Sequence, residues 1–221
     1  MISLFWTIIS FSLLYFSTRF LTLQFTRLLH VLGGSRKTII IIWSLIFLPG
    51  TVIHELSHFF AAILVGARTG RIEILPEFLD DDTKGVALGS VQTQKLNLVQ
   101  GVFVGLAPAI VGITLLILLS QSIYQNYITG ATSTLLVQSL FFFIISNSFF
   151  PSKADIVHVI PGVITFSAIA VLLFFAGFNL LNLPINLINI LPSTITTLII
   201  SSFLNLIIGG ILFTLYKIFK S

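Results

Sequence analysis

Two histidines and a glutamate in the segment LPGTVIHELSHFFAAILVGA have the spacing of a metal site. His54 and His58 are four residues apart, so on a helix their side chains lie one above the other and both imidazoles can reach one ion. Glu55 follows the first ligand and can take a proton from a metal-bound water as that water attacks a carbonyl group. Zinc would lower the pKa of the water to about 7 and polarise the carbonyl. The pattern therefore predicts zinc-assisted hydrolysis.

A catalytic zinc ion usually has three protein ligands, so a third ligand is expected elsewhere in the chain. The chain has no cysteine, which leaves histidine or a carboxylate. Most of the other acidic side chains lie in one polar loop: Glu73, Glu77, Asp80, Asp81 and Asp82. Asp155, in SNSFFPSKADIVHVIP, is the preferred third ligand. His158, three residues later, and a loop carboxylate are the alternatives, and Asp155 could instead pair with Lys153 or cap a helix.

The composition places these residues in a membrane protein. Hydrophobic residues make up 56% of the 221 residues and charged residues only 8%, whereas a soluble domain has about 25% charged residues. The formal net charge of +4 agrees with Lys and Arg flanking apolar spans, so no nucleic-acid partner is expected. The chain is predicted to be an all-α polytopic membrane protein whose partners include the lipid bilayer. The composition does not define an oligomeric state.

Apolar stretches of about 20 residues predict six transmembrane helices. The predicted spans are 2–23, 38–66, 98–120, 134–150, 161–182 and 194–216. They form one predicted domain over residues 1–221, with a single long polar connection at 67–97. In that connection Ile72 and Ile74 alternate with Glu73, and apolar residues at 86–91 lie among glycines, which predicts a small β-hairpin. An irregular solvated loop is the alternative.

The distribution of basic residues predicts the orientation. With six spans both termini lie on the same side of the membrane. The cytoplasmic side would then hold the termini, the 67–97 loop and seven basic residues: Arg68, Arg71, Lys84, Lys95, Lys153, Lys217 and Lys220. The opposite side would hold four: Arg19, Arg27, Arg36 and Lys37.

The sequence also resembles a known family over roughly residues 45–160. HELSHFFAAILVGA in an early span, the polar loop after it and SNSFFPSKAD are similar to the site-2 protease family of intramembrane zinc metalloproteases, the M50 peptidases. The segment FVGLAPAIVGI, with Gly105 and Pro108, is similar to the Gly-Pro helix of that family. The family pattern NxxPxxxxDG is altered here, since Asn147, Pro151 and Asp155 are spaced NxxxPxxxD and isoleucine follows the aspartate.

The resemblance implies a zinc endopeptidase that cuts transmembrane segments of other proteins, in a prokaryotic cell membrane and near its cytoplasmic side. It implies that Asp155 is the third ligand and that Asn147 binds the substrate backbone. Capping of the helix break before Pro151 is an equal alternative for Asn147. The segment GVALGSVQTQ at 85–94 is the candidate edge on which an extended substrate could form β-pairing.

Two other functions could use the same side chains. A non-proteolytic protein could retain zinc for structure or for regulating a partner, but such a site needs no general base such as Glu55. A transporter or channel could line a polar path with the same side chains. That class would be expected to show internal inverted repeats, and the sequence shows no convincing repeat.

Overall fold

The computed structural model describes residues 2–74, 77–78, 86–87, 90–175 and 185–220. Six helices occur within these ranges: α1 (Ile2–Val31), α2 (Arg36–Leu64), α3 (Leu98–Ile128), α4 (Thr132–Ser148), α5 (Lys153–Phe175) and α6 (Ile185–Lys220). Four short strands lie between α2 and α3: β1 (Thr69–Glu73), β2 (Glu77–Phe78), β3 (Val86–Ala87) and β4 (Ser90–Thr93). The predicted all-α polytopic fold is therefore confirmed.

Each helix overlaps one of the six predicted spans, and the chain is an integral membrane protein. Among the described residues, four segments are long and apolar enough to cross a bilayer: Phe5–Val31, Arg36–Leu64, Leu98–Ile128 and Leu191–Lys220. The apolar helices Thr132–Ser148 and Asp155–Ile169 are shorter. Many large apolar side chains, such as Phe16 at 68% and Leu136 at 80% exposure, point outward, as lipid-facing residues do.

The helix of the fifth predicted span begins before the span does. The apolar window began at position 161, but α5 already begins at Lys153. Ser152 and Asp155 explain the earlier start, because the Asp155 amide donates to the Ser152 hydroxyl and the Ser152 amide donates to the Asp155 carboxylate. This reciprocal cap satisfies two amides that a helix start leaves unpaired. It also places Asp155 in the first turn of a helix rather than in a connecting segment.

The polar connection forms the predicted β-hairpin. Strand β1 pairs antiparallel with β4, and β2 pairs antiparallel with β3, so the two pairings follow one another along the same hairpin. Its base is fixed to the bundle, since the Gln100 side chain at the start of α3 donates to the Val65 carbonyl at the end of α2. The acidic run 80–82 and parts of the candidate edge 85–94 lie outside the described residues.

The helices pack around a polar as well as an apolar interior. Helices α1 and α6 lie against each other, and Ser10, Ser17, Ser201, Ser202 and Asn205 are at most 2% exposed. An apolar cluster joins this pair to α3 and α4 through Leu14, Leu116, Phe142, Ile145, Phe149 and Leu198. Helices α3 and α4 pack against α2, which carries the HExxH motif, and α5 packs against α3.

Candidate metal centre

The HExxH motif lies in the C-terminal half of α2 and is buried. His54, Glu55 and His58 are 9%, 7% and 6% exposed. One helical turn separates the two histidines, and their Nε2 atoms are 3.2 Å apart. Their Nε2 atoms point to the same place, which is the arrangement that the i, i+4 spacing predicts.

Each histidine is oriented by a backbone carbonyl on a neighbouring helix. Nδ1 of His54 lies 2.9 Å from the Ser148 carbonyl oxygen at the end of α4. Nδ1 of His58 lies 2.8 Å from the Val104 carbonyl oxygen in α3. A carbonyl can only accept a hydrogen bond, so Nδ1 is the donor in both rings and Nε2 is the nitrogen that is available to bind a metal ion. Metal-binding histidines usually have this second partner.

Both accepting carbonyls are ones that their helices leave unpaired. Ser148 is the last residue of α4, and the last four carbonyls of a helix have no intrahelical donor. Val104 lies four residues before Pro108 inside α3, and proline has no N–H to donate to it. His54 and His58 therefore donate to carbonyl oxygens that accept no hydrogen bond within their own helices, so no helical hydrogen bond is lost.

Asp155 completes the group from the first turn of α5. Its Oδ1 lies 3.0 Å from Nε2 of His58, and its Oδ2 lies 3.4 Å from Nε2 of His54. Oδ2 also accepts a 2.6 Å hydrogen bond from the Ser152 amide, which fixes the carboxylate plane. The helix-capping alternative for Asp155 is thus true as well, since the same carboxylate faces the histidines and caps α5.

The distances among these donors fit a tetrahedral zinc ion. Zinc binds histidine nitrogen and carboxylate oxygen at about 2.0–2.2 Å, so two ligand atoms at the tetrahedral angle are about 3.3–3.5 Å apart. The two Nε2 atoms are 3.2 Å apart, and they lie 3.0 Å from Oδ1 and 3.4 Å from Oδ2 of Asp155, so each separation is close to that spacing. Two imidazoles and one carboxylate, with one coordination position left over, are the ligand composition of a catalytic rather than a structural zinc site.

Glycines bring the helices close enough to form the site. A Cβ atom at Gly50 would collide with the Ser148 side chain, and one at Gly105 would collide with Val159 and lie 3.2 Å from the Asp155 carbonyl oxygen. Gly50 therefore allows the end of α4 to reach His54. Gly105 allows the start of α5 to reach α3 beside His58.

The other residues considered from the sequence lie elsewhere. Within the described ranges the group of converging ligand atoms comprises His54, His58 and Asp155, all within 4.8 Å of one another, and His158 is not part of it. His158 is exposed, and its backbone carbonyl packs against Gly101. Asn147 points toward α1 and α6, where its amide bonds to Thr18 and Asn205.

Several residues that shape the site were not identified as such from the sequence. Ser148 and Val104 act through backbone carbonyls, which carry no side-chain signal. Ser152 could have been found, because a serine three residues before an acidic residue is a helix-start pattern. Pro108 also gave a usable signal, because proline inside a helix leaves the carbonyl four residues earlier, here that of Val104, without its helical donor.

The fold and the site together define a class: an integral membrane protein in which two histidines of one helix and an aspartate of another form a group that could hold a metal ion. A family model described as Peptidase M50B-like matches residues 25–193, which is more than half of the chain. The chain therefore belongs to the Peptidase M50B-like family. The comparisons with curated proteins and with solved structures gave no significant match.

Proposed function

We propose that this protein is a zinc-dependent endopeptidase that hydrolyses peptide bonds in or near the transmembrane segments of other membrane proteins. The observation that carries the proposal is the convergence of His54, His58 and the Asp155 carboxylate, with the two Nε2 atoms 3.2 Å apart and each within 3.4 Å of a carboxylate oxygen, beside a buried glutamate. Membership of a peptidase family agrees with it.

His54, His58 and Asp155 would hold the zinc ion. Bound zinc would supply an activated water molecule and would polarise the peptide carbonyl. Glu55 follows His54 on the same helix and would take the proton of the attacking water and deliver it to the leaving nitrogen. A carboxylate at this position favours the peptidase over a non-proteolytic zinc protein, because a purely structural site needs ligands but no base.

The substrate would reach the site as an extended segment. His58 lies six residues, or about 9 Å along the helix axis, before the end of α2, and the hairpin begins five residues after that end, at Thr69. Strand β4 is an edge of its two-stranded sheet, and an extended peptide could pair with it while its scissile bond reaches the ligands. The excess of basic residues on the hairpin side would place the site toward the cytoplasmic side of a prokaryotic cell membrane.

Metal content of the detergent-purified protein tests the proposal without requiring a known substrate. We expect close to one zinc ion per wild-type chain and a large loss of zinc in His54→Ala and in Asp155→Ala. His158→Ala is the matched control for the third ligand and should retain zinc, because His158 is exposed and outside the group. Wild-type protein without zinc, even after zinc is supplied, would refute the proposal. Loss of zinc in His158→Ala with retention in Asp155→Ala would refute the ligand assignment.

A further inference from the structure

We propose that Asn205 of α6 is a positioning residue for the metal site, acting through Asn147 and the last carbonyl of α4. The inference rests on the proposed function, because it concerns the geometry of a site that binds metal. Asn205 lies outside the residues matched by the family model, so the family does not assign it a role.

Asn205 and Asn147 form a reciprocal amide pair between α6 and α4. The Asn205 amide nitrogen donates to Oδ1 of Asn147 at 2.9 Å, and the Asn147 amide nitrogen donates to Oδ1 of Asn205 at 2.9 Å. Asn205 is 0% exposed. A buried amide inside a membrane protein is costly unless its hydrogen bonds are made, so this pair favours one arrangement of the two helices.

Helix α1 takes part in the same network. The Thr18 hydroxyl donates to Oδ1 of Asn147 at 3.0 Å and accepts from the Asn205 amide nitrogen at 3.1 Å. The Asn147 amide nitrogen also donates to the Phe143 carbonyl. With a longer 3.4 Å contact from its nitrogen to the Ser146 hydroxyl, the Asn147 amide has partners for both of its N–H groups and for both lone pairs of its oxygen. A substrate contact through this amide would require one of these bonds to open.

The network connects directly to a metal ligand. Asn147 precedes Ser148, whose carbonyl accepts the hydrogen bond from Nδ1 of His54. That carbonyl is at the end of α4, where no further helical turn holds it in place. The last turn of α4 is instead held on one side by the Asn147 amide and on the other by the close approach of Ser148 to Gly50. The position of the His54 ring therefore depends on the amide pair.

The test is a metal titration of the full-length protein in detergent, with Zn²⁺ for affinity and Co²⁺ for the ligand-field spectrum. We expect Asn205→Leu, which keeps the volume but removes the amide, to weaken metal binding about 10-fold and to change the Co²⁺ absorption bands. Asn126→Leu is the matched control. Asn126 also bonds across helices, to Thr134 and Gln138 of α4, but at the opposite end of that helix. The Asn126→Leu variant should lose thermal stability without a change in metal affinity or in the Co²⁺ spectrum.

Thr18→Val provides a milder test if Asn205→Leu does not fold. It removes one hydroxyl that contacts both amides and should change metal affinity in the same direction by a smaller factor. Wild-type affinity and an unchanged Co²⁺ spectrum in the folded variants would overturn the positioning role, as would tighter metal binding. Wild-type protein that binds neither ion would overturn the proposed function as well, so the two failures can be told apart.

Discussion

Nδ1 of His58 lies 2.8 Å from the carbonyl oxygen of Val104. That carbonyl is unpaired within α3 because Pro108, four residues later, has no N–H. A break in the hydrogen bonding of one helix therefore provides the acceptor that orients a candidate metal ligand on another helix. The Pro108 side chain is itself fully buried.

Replacing the proline should weaken the site although it repairs the helix. In Pro108→Ala the new backbone N–H can donate to the Val104 carbonyl. That carbonyl would then accept hydrogen bonds from both this N–H and His58, and the His58 ring would be less firmly oriented. We expect zinc affinity to fall about 10-fold. Isothermal titration with Zn²⁺ compares this variant with Pro192→Ala, which removes a proline from α6 instead. Equal affinities in both variants and in wild type would contradict the role assigned to Pro108.

The Ser152 cap should matter for metal affinity as well as for α5. Ser152→Ala removes the hydroxyl that accepts a hydrogen bond from the Asp155 amide. The first turn of α5 should then fray, and the orientation of the Asp155 carboxylate should become less fixed. Loss of a helix cap costs about 1 kcal/mol of stability. Ser35→Ala, which removes the cap of α2, is the control with a comparable loss of stability. We expect zinc affinity to fall only in Ser152→Ala, and a matching fall in Ser35→Ala would show that general destabilisation is the cause.

Close approach at Gly105 should be necessary for the ligand geometry. In Gly105→Ala the added methyl meets Val159 and lies 3.2 Å from the Asp155 carbonyl oxygen, so α5 must move away from α3. Overpacking of this kind costs about 1–3 kcal/mol, and the shift carries Asp155 with it. We expect lower thermal stability and weaker zinc binding. Gly210→Ala is the control, because its methyl group meets nothing within 4 Å, and it should keep wild-type thermal stability and zinc affinity. If Gly210→Ala also loses stability and affinity, the close approach at Gly105 is not the cause.

Glu55→Gln should separate metal binding from catalysis. Glutamine keeps the size of the side chain but cannot take a proton, and a general base contributes about 10²–10⁴-fold to a rate. We expect wild-type zinc content and almost no cleavage. Mass spectrometry of new protein N-termini, in membranes containing the wild-type or variant protein, measures cleavage without a chosen substrate. Identical sets of N-termini would argue against peptidase activity that depends on Glu55.

The sequence was sufficient for the fold class and for the place of the hairpin, because both depend on composition and short-range pattern. Apolar windows of about 20 residues mark helices whichever way they pack. The boundaries were less accurate, and Asp155 shows why. Its helix begins where a local cap forms, and the averaged hydrophobicity of a window does not detect a single hydrogen-bonded turn.

The sequence by itself determined that His54 and His58 lie on the same side of a helix, since their spacing fixes this alignment on any helix. Only the tertiary structure decided that Asp155 rather than His158 joins them, because both share a helix and the choice depends on which residue faces α2. The same holds for the Val104 and Ser148 carbonyls and for the Asn147–Asn205 pair. These contacts join residues far apart in the chain, and helix packing at close glycines brings them together.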